Sequence, residues 1–200
     1  MKQRGFTLIE LMVTLVVLVV LATMAVPSFM DYLQKARVRG AVDSVTNVLA
    51  RARQGAVKSN MPIAVAALQK GGGAWCVGAR QPTEPGTWQP RPLTATACDC
   101  STAAAACTVE NEQLVADSTT FGNNAPTVTI TDFDFSYSPK LGGVSDNGAP
   151  NRVFLASANS SMVVTSANGR YQVRVEVTPL GQSFACVPSG KPPFSGYRDC

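Results

Sequence analysis

The chain has 200 residues, enough for a long helix and one globular domain, and it contains no histidine. That absence excludes a Ser-His-Asp triad, a Cys-His pair and any histidine metal site. Its 17 basic and 13 acidic residues leave a formal charge of +4, too small to argue for nucleic acid on charge alone.

The chain opens Lys2-Gln3-Arg4-Gly5-Phe6-Thr7-Leu8-Ile9-Glu10-Leu11, followed by an apolar run to Val26 in which Glu10 is the only charge. At 1.5 Å per residue, residues 6–26 make about 30 Å of helix, the depth of a bilayer core. Lys2 and Arg4 ahead of it predict that the first residues stay cytoplasmic and the rest faces outward. A cleavable secretory signal has a core of only about 7–15 residues with a small residue after it. Here the core is longer, and the small residue, Gly5, precedes it. A plain anchor does not explain Glu10, since a carboxylate inside a membrane helix costs about 2.5–3.5 kcal/mol. Cleavage between Gly5 and Phe6 would supply an amine four residues before Glu10. In a lateral assembly, Glu10 of one subunit could then meet the Phe6 amine of its neighbour.

The motif Gly5-Phe6-Thr7-Leu8-Ile9-Glu10 resembles the class III leader junction of type IV pilins and type II secretion pseudopilins. The resemblance implies cleavage after Gly5 by a prepilin peptidase, N-methylation of Phe6 and polymerisation through the apolar helix. Pro27 stands where those families place a helix-breaking proline. Loss of Lys2 and Arg4 with the leader would lower the formal charge to +2.

Beyond Pro27 the helix is predicted to resume. Val38, Ala41/Val42, Val45, Val48/Leu49, Ala52 and Ala56 recur at helical spacing and form one apolar stripe. Lys35, Arg37, Arg39, Asp43, Arg51, Arg53 and Lys58 read as a solvated face near the membrane, with DNA or anionic headgroups as the alternative. Asn60-Met61-Pro62 stops the helix.

The remainder reads as β. Strands are expected at Ile63–Leu68, after it Gly71-Gly72-Gly73 as a turn, and around Trp75–Val77. Residues 79–112, with Trp88 among their prolines, read as a long loop region pinned by disulfides. Thr127–Tyr137 alternates but slips phase: Val128 and Ile130 share one face, Phe133, Phe135 and Tyr137 the other, so a bulge or break is expected near Thr131-Asp132. Pro139 to Pro150 reads as loop, with turn signals at Gly142-Gly143 and Asn147-Gly148, and Arg152–Ala156 as a short strand. Ser161–Ala167 and Arg170–Thr178 flank Asn168-Gly169, a strong hairpin signal. A strand at Ser183–Val187 and a Pro/Gly-rich tail follow.

Cys76, Cys98, Cys100, Cys107, Cys186 and Cys200 all lie outside the apolar segment, on the side expected to be oxidising, so disulfides are the first reading. Six cysteines permit 15 connectivities. Cys98 and Cys100 are too close to pair with each other. The expected pairing is Cys186–Cys200, with two bridges among the other four. A Cys-only metal site from Cys98, Cys100 and Cys107 fits no standard zinc spacing, so no metal is expected.

The predicted fold is α+β: a long N-terminal helix, its first half transmembrane and its second amphipathic, packed on an antiparallel β-domain in the pilin manner. The globular part resembles the GspH/FimT family in three places: Ala50–Ser59, Phe133–Gly142 and Tyr171–Cys186. The implied division is a cleaved leader at 1–5, the pilin helix at 6–60 and a periplasmic domain at 61–200. DNA-binding members carry a Gly-Arg-x-Arg signature before a cysteine, whereas this chain has Gly181-Gln182-Ser183-Phe184 before Ala185-Cys186. Both arginines, which would clamp phosphates, are missing. Arg170, Arg174, Lys191 and Arg198 are the candidates to replace them.

The sequence therefore reads as a non-catalytic minor type IV pilin, without a cofactor, that primes or caps a pilus. Its expected partners are other minor and major pilins, the prepilin peptidase and the inner membrane. A minor pseudopilin of type II secretion and a DNA-binding pilin for natural transformation are the alternatives.

Overall fold

The computed structural model describes residues 7–69, 73–81, 98, 100, 104–131, 133–145 and 160–200. Gly5, Phe6, Gly71-Gly72, Trp88, Asn147-Gly148 and the expected strand Arg152–Ala156 lie outside the described residues. One helix, α1 (Leu8–Ser59), takes the first quarter of the chain and, at 1.5 Å per residue, extends about 78 Å. Thr7 caps its start by accepting from the Glu10 N–H at 3.4 Å. Asn60 closes it in the left-handed conformation (φ 52°), and Pro62 bars continuation.

The expected helix break at Pro27 is not there: α1 runs through it. Proline removes one donor and costs about 3 kcal/mol in a helix interior. A true break would orphan four N–H and four C=O groups, about the larger penalty in a stretch this apolar.

Twelve strands follow among the described residues. They are β1 (Ile63–Gln69), β2 (Trp75–Arg80), β3 (Thr108–Val109), β4 (Glu112–Gln113), β5 (Val115–Asp117), β6 (Thr127–Thr131), β7 (Asp134–Tyr137), β8 (Val144–Ser145), β9 (Ser160–Thr165), β10 (Gln172–Val177), β11 (Ser183–Val187) and β12 (Arg198–Asp199). They form two five-stranded sheets, β5-β2-β1-β7-β8 and β12-β11-β10-β9-β6, and a small β3-β4 hairpin. Every pairing is antiparallel except β11 with β12, which is parallel. The Pro/Gly-rich tail therefore ends as an edge strand, β12. Val38, Ala41, Val42, Val45, Val48, Leu49, Ala52 and Ala56 form the buried stripe of α1. They pack with Val65 and Val77 of the first sheet and Val164, Val173 and Val175 of the second. The predicted α+β architecture, helix on antiparallel sheets, is the one observed.

Several boundaries differ from the sequence reading. β2 continues to Arg80, because β1 and β5 pair with it on either side. Within the expected 79–112 loop, Glu110 and Asn111 (φ 52° and 65°) turn β3 into β4. Val144–Ser145, expected as loop, pairs with β7. The phase slip in Thr127–Tyr137 has a larger cause than a bulge. β6 belongs to the second sheet and β7 to the first, so the chain crosses between sheets, and the Phe133 carbonyl accepts from Ala67 N–H at 3.1 Å.

Tyr137 carries a testable consequence. Its side chain is fully buried, its hydroxyl has no hydrogen-bond partner among the described residues, and burial pushes the phenol well above its usual value despite the nearby Arg53. An unsatisfied buried hydroxyl costs about 1–3 kcal/mol. Tyr137→Phe should therefore keep or raise the thermal midpoint at neutral pH. Because the folded pKa lies above the unfolded value of about 10, the tyrosine contributes fully below that pH and its contribution falls as pH rises through the alkaline range. The Phe variant should lose less stability there, and a larger loss would show that the hydroxyl has a partner.

Candidate functional site

Among the described residues nothing covers the N-terminal half of α1. Its large apolar side chains from Leu8 to Met30 are 48% to 76% exposed, and burial begins only at Val38. The helix is long and apolar enough to cross a membrane. An apolar surface this large on a soluble monomer marks an interface with lipid or protein. Glu10 lies in the first turn, within this surface, and among the described residues it has no ion-pair partner.

At the upper end of the apolar run, Tyr171 at the head of β10 donates its hydroxyl to Asp31 Oδ1 at 2.6 Å. Lys35 Nζ lies 3.0 Å from Asp31 Oδ2, and Arg170 Nη1 lies 3.6 Å from Oδ1. The Tyr171 hydrogen bond, followed by that from Lys35, holds the Asp31 carboxyl below its usual range; Lys35 is raised, chiefly by its bond to Asp31. The Ser166–Tyr171 turn thus grips the helix. One turn of helix further, Arg39 Nη2 donates to the Ser195 carbonyl at 2.8 Å and lies over Phe194, which meets Tyr171 edge-on. At the far end Arg53 donates through Nε to the Gly142 carbonyl (3.0 Å) and through Nη2 to the Leu180 carbonyl (3.4 Å).

The cysteines pair as Cys76–Cys100, Cys98–Cys107 and Cys186–Cys200, with Cα separations of 6.0, 4.9 and 5.0 Å. Cys98, Cys100 and Cys107, named for a Cys-only metal site, are each in a disulfide, Cys98 with Cys107 and Cys100 with Cys76. The four basic residues proposed for phosphate do not form one patch. Arg170 is engaged with Asp31, and Arg174 pairs with Glu176 at 3.3 Å. Arg174 and Arg198 flank Cys186 in one row across β10, β11 and β12. Lys191 stands exposed in the turn after β11. Arg198 stacks on Phe184 at 5.2 Å. With Arg53, Gln54, Gln182 and Ser183 these two residues line a groove of about 490 Å³ beside Gly181. The roles of Arg39, Arg53 and the Asp31–Tyr171 bond left no local pattern in the sequence, since their partners are 89 to 156 residues away.

Residues 41–181 match the family model described as type II transport protein GspH, and residues 1–26 match the prokaryotic N-terminal methylation motif. The chain belongs to the GspH family. It is a pilin-like member, with the family's helix-on-sheet architecture. Two curated fimbrial proteins of Pseudomonas aeruginosa are each 37% identical over 68 residues, 34% of this chain and 44% of each relative. Prepilin peptidase-dependent protein D of Escherichia coli K12 is 51% identical over 35 residues, 18% of this chain and 24% of the relative. The chain therefore spans less than half the length of these curated relatives. No solved structure matches it significantly. Subunits of this GspH type are structural pilins or pseudopilins.

Proposed function

We propose that this GspH-family chain is a minor type IV pilin, a structural subunit that primes or caps a pilus with sibling pilins. On this reading a prepilin peptidase cuts after Gly5, Phe6 becomes the methylated N-terminus, and residues 6–26 hold the subunit in the inner membrane until assembly. Residues 61–200 then face the periplasm and later the pilus tip or cell surface. The observation that carries the reading is the exposed helix of Leu8–Met30 with Glu10 unpartnered within it. Lipid can cover the apolar side chains, but among copies of the same kind of helix the Glu10 carboxylate also gains a partner, a neighbour's Phe6 amine, and the two charges neutralise each other. The fimbrial relatives favour a pilus; the family's type II transport description favours a secretion pseudopilus.

Glu10→Ala tests it. The variant is expected to stay in the membrane fraction while its recovery in sheared filaments falls about tenfold or more, because a buried charge loses its partner. Normal recovery would remove the amine-pairing argument.

One observation favours a DNA-binding second reading. Arg198 and Arg53 line the groove beside Gly181–Phe184, where the related signature carries its arginines. That reading expects duplex DNA to be retarded by the protein, with binding weakening as salt rises. An unshifted duplex at low salt eliminates it.

A further inference from the structure

The end of the exposed apolar run coincides with a collar of cations. Leu8 to Met30 spans about 33 Å of helix, slightly more than the roughly 30 Å hydrocarbon core. With Leu8 at one edge of that core, Asp31 to Lys35 fall in the headgroup layer on the other side. Arg37 and Arg39 follow within about 6 Å, a distance that their apolar stems can reach back across. The β9–β10 turn comes down to the same level, because Tyr171 and Arg170 both contact Asp31.

Lys35, Arg37, Arg39 and Arg170 thus gather at one height around the helix. The carboxylate at that height, Asp31, is already occupied by Tyr171, Lys35 and Arg170. Arg170 remains 63% exposed. Arg37 is half-buried at this level, and among the described residues its buried Nη1 has no acceptor. Cations beyond an outward-facing membrane helix also run against the positive-inside bias, so topology does not explain them.

We infer that this collar seats the globular domain on anionic phospholipid headgroups through Lys35, Arg37, Arg39 and Arg170. The inference rests on the membrane-anchored reading above. A lipid surface fits better than a nucleic acid because the anchor places the collar against the bilayer, leaving no gap for a duplex. Seating also fixes the tilt of α1, and so the angle at which the apolar helix is offered to a growing filament.

The test uses the full chain in vesicles, with Ala167→Cys in the exposed turn carrying a fluorophore and the native disulfides kept oxidised. A headgroup-attached quencher reports whether the turn rests on the surface. Quenching is expected to be at least about twofold stronger in vesicles containing phosphatidylglycerol than in phosphatidylcholine alone, and to weaken in high salt. Lys35→Gln with Arg37→Gln should lower the ratio of seated to unseated domain by about tenfold or more. Equal quenching in both lipids, with the chain still vesicle-bound, would overturn the collar alone. A chain extracted by an alkaline wash would refute anchoring, and with it this inference. Release of the turn from the surface by added duplex DNA would also overturn it, in favour of a nucleic-acid surface.

Discussion

Gly78→Ala is expected to lower the thermal midpoint of the purified protein by roughly 6–12 °C, the counterpart of about 3 kcal/mol. β2 directs Trp75, Val77 and Ala79 into the core shared with α1, so Cys76 and Gly78 face the other way. Among the described residues, Cys76, Cys98, Cys100 and Cys107 pack together on that second face, with Leu68 and Val115 alongside. A methyl group at position 78 would lie 2.6 Å from Cys98 Sγ, 3.0 Å from Cys107 Sγ and 3.1 Å from Cys100 Cβ. These atoms are tied into two disulfides and cannot swing aside as a free side chain would. The clash is relieved either by lifting the bridged segment off the sheet or by failing to close one bridge. Thiol titration in denaturant without reductant distinguishes the two, and the midpoint measures either. A fully oxidised variant with an unchanged midpoint would show that the bridges do not cross this strand.

The same strand shows what local sequence can and cannot convey. The two halves of α1 were legible because each has its own signature, an unbroken apolar run and then a stripe at helical spacing. β1, the β9–β10 hairpin and β11 were legible because their alternation and turn residues are local. β2 was cut short because Gly78 and Ala79 carry no strand signal, and their extension depends on partners on both sides. β5, β8 and β12 have two or three residues, too few to show a period. The tail was misread for a related reason. Phe194 is buried, and Arg39 and the Cys186–Cys200 bridge hold the segment in place, all through contacts distant in sequence. At Thr127–Tyr137 the slip was visible but its meaning was not. A one-residue offset looks the same whether a strand bulges or changes sheets, and only the pairing partners decide.

Gly181→Ala is expected to cost about 3 kcal/mol or more, again a fall of roughly 6–12 °C. Gly181 sits in the β10–β11 turn at φ +76°, a conformation that alone penalises an L side chain by about 1–2 kcal/mol. A methyl group there would also fall 1.9 Å from the Gly142 carbonyl oxygen and 3.2 Å from Arg53 Nε. The turn of the second sheet and the β7–β8 turn of the first meet at this point. Val144 N–H donates to the Pro179 carbonyl at 2.9 Å, and Arg53 of α1 bonds both turns. Displacing either turn therefore loosens both sheets from the helix. Gly169→Ala supplies the control, since its φ is +72° but a methyl group there meets nothing within 4 Å. It should cost only the conformational term, and the excess at position 181 measures the packed junction. Equal losses at the two positions would mean that the turns are not in contact. A clear excess would give Gly181 a structural reason independent of any ligand, with the glycine present because three elements meet there and leave no room for a side chain.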